Sequence, residues 1–172
     1  MFEDEASLSN TATVSYGWSE KGRQPQITQI QRKRERKTIF GCVNPKSGEV
    51  VAQASDRGNT KTFFSFMLKV VKANPGKKVF MVLDNVRYHH AKRLKTILKR
   101  YAHRIELVFL PPYSPDLNCM ERVWWFMRKK ITHNRFVNTM NERIANFETF
   151  IADFREPNQQ GQSLCNLCEI IY

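Results

Sequence analysis

The sequence predicts an α/β domain built on a mixed sheet, and three observations lead there. A continuous apolar run, Val79-Phe80-Met81-Val82-Leu83, has strand length and stops abruptly at Asp84-Asn85, which is how a central strand buried on both faces reads. A helical pattern over residues 90–101 and a short strand over 105–110 follow it, and strand, helix, strand at this length is a right-handed crossover between neighbouring parallel strands. Upstream, β-rich runs at 38–43 and 49–54 are joined by Asn44-Pro45-Lys46-Ser47-Gly48, whose Pro and Gly suit an antiparallel hairpin.

The remaining elements come from spacing and punctuation. Residues 1–8 hold Phe2 and Leu8 around Asp4 and Glu5, a candidate first strand with a short apolar lead-in. Between Ser9 and Thr38 periodicity is weak: Tyr16-Gly17-Trp18 and Lys21-Gly22 read as turns, and residues 31–37 form a basic run that includes Arg34 and Arg36. Phe63, Phe64, Met67, Leu68 and Val71 recur at helical spacing, and Asn74-Pro75-Gly76 ends that helix. In the helix at 90–101, Ala91, Leu94, Ile97, Leu98 and Tyr101 face inward and the basic residues outward. After Ser114, Pro115 sits where a helix tolerates a missing N–H, and Leu117, Met120, Val123, Trp124, Met127 and Ile131 form the apolar stripe. Thr139 with Glu142 reads as a capping box for a last helix burying Met140, Ile144, Phe147, Ile151 and Phe154, with a polar tail expected over 156–172.

At 172 residues the chain is long enough for one domain with its own core. Its 41% hydrophobic and 26% charged residues suit a soluble globular protein, and no run reaches the about 18 apolar residues of a membrane span, which excludes a membrane partner from the reading. Twenty-eight Lys and Arg against 16 Asp and Glu leave a net charge of +12, which favours a polyanion such as nucleic acid. Four cysteines suit reduced thiols in the cytoplasm better than a disulfide framework. Cys165 and Cys168 have zinc-knuckle spacing but lack a second ligand pair nearby.

Two acidic residues stand where chemistry is expected. Asp84 ends the apolar strand, where side chains escape a packed sheet and meet the loops; the competing reading is a turn that caps the next helix. Glu121 lies at the edge of a buried helical stripe, where an unpaired carboxylate is costly; its competing reading is a capping box with Asn118. Phosphodiester chemistry can be run by two Mg²⁺ ions held on a few carboxylates from separate elements, and Asp4 or Glu5 could complete such a set. Trp124-Trp125 reads as one core ring and one exposed ring, and Arg122, Arg128, Lys129 and Lys130 are phosphate-contact candidates or a solvated helix face.

These residues also match a family pattern. Val82-Leu83-Asp84-Asn85-Val86-Arg87-Tyr88-His89 and Leu110-Pro111-Pro112-Tyr113-Ser114-Pro115-Asp116-Leu117-Asn118-Cys119-Met120-Glu121-Arg122-Val123-Trp124 resemble the DDE transposases of mariner-like elements and bacterial insertion sequences. Phe2-Glu3-Asp4-Glu5 and the later Gly17-Trp18 resemble the start of the same catalytic domain, so the resemblance spans about residues 1–155. It implies a ribonuclease H-like fold, in which three antiparallel strands are followed by parallel ones and flanked by helices. It further implies a triad of Asp4, Asp84 and Glu121 holding two Mg²⁺ or Mn²⁺ ions. Asn85, His89 and Asn118 then orient the loops, and Arg34, Arg36 and the basic residues of the Glu121 helix meet DNA. Cys119 stands where the family commonly has proline.

The implied function is cut-and-paste DNA transposition: cleavage at the ends of an insertion sequence and strand transfer into TA-type target DNA, by a homodimer on paired double-stranded ends in a prokaryotic nucleoid. Such domains ordinarily follow helix-turn-helix modules, and the short lead-in to Asp4 is expected of a second reading frame, a truncated copy or a separated domain. The alternative is a relict or regulatory fragment that binds DNA but cannot complete the strand carrying Asp4.

Overall fold

The computed structural model describes residues 1–23, 26, 34–112 and 114–166. Residues 31–33 of the basic run, Tyr113 and Cys168 lie outside them. Five strands form one mixed sheet: β1 (Phe2–Ser9), β2 (Arg36–Val43), β3 (Val50–Ser55), β4 (Val79–Leu83) and β5 (Ile105–Phe109), in the order β3-β2-β1-β4-β5. β1 runs antiparallel to β2, and β2 to β3, as the hairpin signal predicts. β4 is parallel to both β1 and β5. β1 forms despite its short lead-in: the terminal amino group donates to the Phe80 carbonyl at 2.8 Å, and the Val82 N–H to the Met1 carbonyl at 2.8 Å.

One expectation fails here. The strand at the centre is β1, and β4 lies one strand in from the edge. Its Phe80 is 52% exposed, on a part of the sheet face left uncovered beside Val108. An apolar run shows that a strand can be buried on both sides; only the placement of the helices decides whether it is.

Helix α1 (Thr60–Ala73) and helix α2 (Lys92–Tyr101) cover one face. Asn59 caps α1 by accepting from the Lys61 and Thr62 N–H groups, while the Thr62 hydroxyl accepts from the Asn59 N–H, closing a capping box. Phe63, Phe66, Met67 and Val70 of α1 and Leu94 of α2 pack on Phe40, Met81, Leu83 and Ile105. A short 3₁₀ turn, Arg87–His90, precedes α2, so the helix starts later than its periodicity suggests.

Helix α3 (Met120–Met127), helix α4 (Met140–Ala152) and helix α5 (Gln159–Cys165) cover the other face over β1, β2 and β3. The proline signal at 115 opens a separate 3₁₀ turn, Pro115–Leu117, and α3 continues into a wider π turn, Arg128–Thr132. Met120, Val123, Trp124, Met127 and Ile131 are buried as the stripe predicts. At α4, Thr139 accepts from the Glu142 N–H, but the Glu142 carboxylate reaches back to the Asn138 N–H, one residue beyond a capping box. Among the described residues no helix is long and apolar enough to cross a membrane.

The expected loose tail is a second correction, because α5 occupies its first half. Asn158 caps α5 by accepting from the Gly161 N–H at 2.6 Å, and Gly161 lies against Gly48 of the β2–β3 turn so closely that a β-carbon on either would strike backbone. Gly48 also has φ +76°, which favours glycine there. Two glycines far apart in sequence thus dock a segment whose polarity reads as solvated.

Candidate active site

Strand alternation sets the site. On β1, Asp4 shares a face with Ala6 and Leu8, beneath α3, whereas Glu3 and Glu5 point to the face covered by α1 and the 3₁₀ turn. Asp84 follows the last residue of β4, and Glu121 lies in the first turn of α3. Asp4, Asp84 and Glu121 line one cavity of about 420 Å³, closed by Asn85, Leu110, Pro111, Pro112, Ser114 and Asn118. A larger hollow of about 720 Å³ runs beside β3 and α4, but the acidic residues on its wall, Asp56 and Glu148, are not part of a ligating cluster among the described residues.

The cavity is strongly anionic. Carboxylate oxygens of Asp4, Glu5 and Asp84 come within 4.8 Å of one another. Burial pushes the Asp4 carboxyl up to about 8, and the charges of Glu121, Glu5 and Asp84 push in the same direction. An all-oxygen, charge-crowded donor set of this kind fits a hard dication, which would offset both the burial and the repulsion that raise the Asp4 carboxyl.

Backbone anchors fix the three carriers. Asn118 donates to the Glu3 carbonyl at 2.8 Å and accepts from the Met120 N–H at 3.1 Å, pinning the start of α3 to β1. It does not form the capping box with Glu121 considered from the sequence; the Glu121 side chain is exposed toward the cavity. Asn85 donates to the Leu110 carbonyl at 2.7 Å and so ties the end of β4 to the end of β5. Asp84 serves as both ligand candidate and turn residue, since its Oδ1 accepts from the Val86 N–H at 3.2 Å. Buried His89 places Nδ1 3.3 Å from the Asp84 carbonyl and Nε2 3.1 Å from Glu5 Oε1.

The basic candidates do not share one surface. Lys129 stands over the half-exposed ring of Trp125 at 3.8 Å, on the side of α3 that carries Glu121, while Lys130 stands over Phe126 at 5.3 Å. Arg122 is partly buried, with Nη1 enclosed and without a hydrogen-bond partner, and Arg128 is partly buried too. Arg34 and Arg36 are exposed near the outer end of β2. Trp124 is buried beside Phe147, as its place in the stripe predicts.

Three features were not legible. Glu3 is fully buried with neither carboxylate oxygen hydrogen-bonded, and burial together with Glu5, Asp4 and Asp84 drives its carboxyl well above the ordinary range. The hydroxyl of Tyr88 donates to Glu5. Arg143, also fully buried, donates to the carbonyls of Ser9, Ile131 and Arg135, a charged residue inside what reads as an apolar helix face. The one available signal was the helical position of Arg143, four residues before Phe147.

A mixed sheet in this order, with helices on both faces and carboxylates converging from a central strand, a strand end and a crossing helix, defines a ribonuclease H-like domain. More particularly, the chain belongs to the DDE superfamily endonucleases, whose family model matches residues 1–144. It is 23% identical over 152 residues to the insertion element IS630 uncharacterized 39 kDa protein of Shigella sonnei, covering 87% of this chain and 43% of that protein. Its fold is similar to that of Mos1 transposase in a paired-end complex with the left transposon end (TM-score 0.70, 12% identity), covering 98% of this chain and 50% of the other. The Mos1 mariner paired end complex with Mn also scores 0.70, at 14% identity, covering 98% of this chain and 52% of that one. The chain thus spans about half the length of these relatives or less.

Proposed function

We propose that this chain is the catalytic domain of an insertion-sequence transposase, cutting DNA at element ends and joining the freed 3′ ends to target DNA. The observation that carries the reading is the convergence of Asp4, Asp84 and Glu121 from three separate elements on one cavity, in a chain of the DDE endonuclease family. Those residues would hold Mg²⁺ or Mn²⁺, two ions as the chemistry of phosphodiester exchange is usually run. Bound there, the metal would supply Lewis-acid stabilisation of the scissile phosphate and activation of the attacking hydroxyl. The Mn-bound Mos1 complex supports that choice of ion.

The protein's own part is placement. Asn118 ties the start of α3 to β1 and Asn85 ties the end of β4 to that of β5, which supports a site in which the three carboxylates face one cavity, Glu121 lying outside the 4.8 Å cluster of Asp4, Glu5 and Asp84. Lys129, backed by Trp125 on the helix that carries Glu121, offers a cation for a DNA phosphate, and exposed Arg34 and Arg36 offer others at a separate place near the start of β2. Double-stranded DNA is the proposed substrate, with a homodimer forming on paired ends, as the paired-end Mos1 complexes suggest.

The test is nicking of supercoiled plasmid, and strand transfer from pre-cleaved ends, with Mg²⁺ or Mn²⁺. Asp84→Asn and Glu121→Gln should each abolish both reactions while DNA binding persists. Cleavage surviving both substitutions would refute the triad.

A further inference from the structure

We propose that Glu3, Glu5 and His89 form a second cation site, suited to Zn²⁺, on the side of β1 opposite Asp4. It lies outside the triad of the proposed nuclease, although a Glu5 oxygen also lies within 4.8 Å of those of Asp4 and Asp84. One ligating atom from each of Glu3, Glu5 and His89 falls within 4.8 Å of the others.

Two observations point to a ligand rather than to a chance cluster. The first is Glu3, which is fully buried and has no hydrogen bond to either carboxylate oxygen. A buried carboxylate without a partner carries a large desolvation cost, and native structures pair such groups with donors, charges or metals. Among the described residues no lysine or arginine side chain is paired with it, and ligating atoms of Glu5 and His89 lie within 4.8 Å.

The second is the orientation of His89. Its Nδ1 lies 3.3 Å from the Asp84 main-chain carbonyl, which can only accept, so Nδ1 carries the hydrogen. That leaves the Nε2 lone pair facing Glu5 Oε1 at 3.1 Å, acceptor against acceptor, unless a cation or an added proton stands between them. A ring N–H given to a main-chain carbonyl is also how metal-binding histidines are aimed. The ring is further held by Phe63, 4.2 Å away between centroids, and the Tyr88 hydroxyl donates to Glu5.

The donor chemistry separates the two sites. One imidazole with two carboxylates suits Zn²⁺, whereas the all-oxygen cavity on the other face suits Mg²⁺. With one imidazole nitrogen and two oxygens on each glutamate, up to five donor atoms are at hand, enough for a four-coordinate ion. Glu3 is wholly buried, His89 is 1% exposed and only the Glu5 side chain, 13% exposed, reaches solvent, which suits a structural role: to join the central strand to the turn that follows Asp84.

Chelator-stripped protein should be titrated with Zn²⁺ in saturating Mg²⁺. One equivalent is expected to bind wild type and the Asp84→Asn/Glu121→Gln double variant alike, because the Asp84 carbonyl survives that change. Glu3→Gln and His89→Ala should weaken Zn²⁺ binding at least tenfold and abolish the Zn²⁺-induced rise in Tm. Should those variants not fold, X-ray absorption at the zinc edge of the wild-type protein is expected to show one imidazole among oxygen donors. Absence of Zn²⁺ binding, a spectrum without imidazole, or binding lost in the double variant but kept in Glu3→Gln would overturn the proposal, leaving Glu3 a buried, protonated acid. Nicking that survives in the double variant with Zn²⁺ binding retained would count against the triad and not against this site.

Discussion

Gly41 lies directly beneath the indole of Trp124: a β-carbon on Gly41 would come within 2.5 Å of the ring and would also strike the Met120 side chain. Gly41 is the β2 partner of Asp4, so the missing side chain leaves the space in which α3 settles against the strand pair carrying the first carboxylate. A glycine on the neighbouring strand thus leaves room for the helix that carries Glu121 to approach the strand that carries Asp4.

Replacing Gly41 with alanine should overfill this contact, lower stability by about 1–3 kcal/mol and reduce nicking by more than tenfold as α3 is displaced. Urea denaturation and plasmid nicking read the two effects. Full activity in a destabilised Gly41→Ala protein would show that α3 placement does not govern the site.

Asn118→Ala removes the bond to the Glu3 carbonyl and the acceptor for the Met120 N–H. The expected cost is about 1–3 kcal/mol, with a fall in kcat larger than any change in DNA affinity. Asn118→Asp, which keeps the acceptor but loses the donor, should recover part of the stability and little of the rate.

The raised Asp4 carboxyl makes a pH prediction for metal-free protein. Because its folded value of about 8 exceeds the unfolded value of 3.8, the folded state binds the extra proton between them, and the Asp4 contribution to stability declines as pH rises through that window. Asp4→Asn should therefore gain in Tm relative to wild type as pH is raised from 5 to about 8. Added Mg²⁺ should shrink the difference, since the cation favours ionised Asp4. A Tm difference independent of pH would contradict the assignment.

Arg143→Met should be among the most damaging changes away from the cavity. It strips three main-chain carbonyls of their donor, at an expected cost of about 2–5 kcal/mol. Chemical denaturation measures it, and Arg143→Lys, a single-point donor, should restore only part.

Lys129→Gln should weaken DNA binding without regard to sequence and reduce the slope of log affinity against log salt by about one. Binding measured over a range of salt concentrations checks this, and Lys130→Gln, whose lysine stands over Phe126, should change the slope less.

Much of this domain was legible in the sequence because local pattern reports local structure. The β2–β3 hairpin, the amphipathic α1, the β4–β5 crossover and the buried stripe of α3 follow from periodicities that each segment carries within itself. Asp84 and Glu121 could be singled out because one ends a strand and the other borders an apolar stripe. What periodicity does not record is which segment covers which face. Along β1, Glu3, Glu5 and Ser7 alternate with Phe2, Asp4, Ala6 and Leu8, so neither face announces itself as buried, yet α1 and the turn at His89 cover the Glu3 side and bury Glu3 completely. Likewise the apolar β4 reads as central, but the helices gather over β1, β2 and β3 and leave Phe80 uncovered. The docking of α5 through Gly48 and Gly161, and of α3 through Gly41, depends on space left empty by residues distant in the chain. Side-chain character alone determined most of the elements, though not α5, and nominated the acids; close packing between remote segments decided which of them meet.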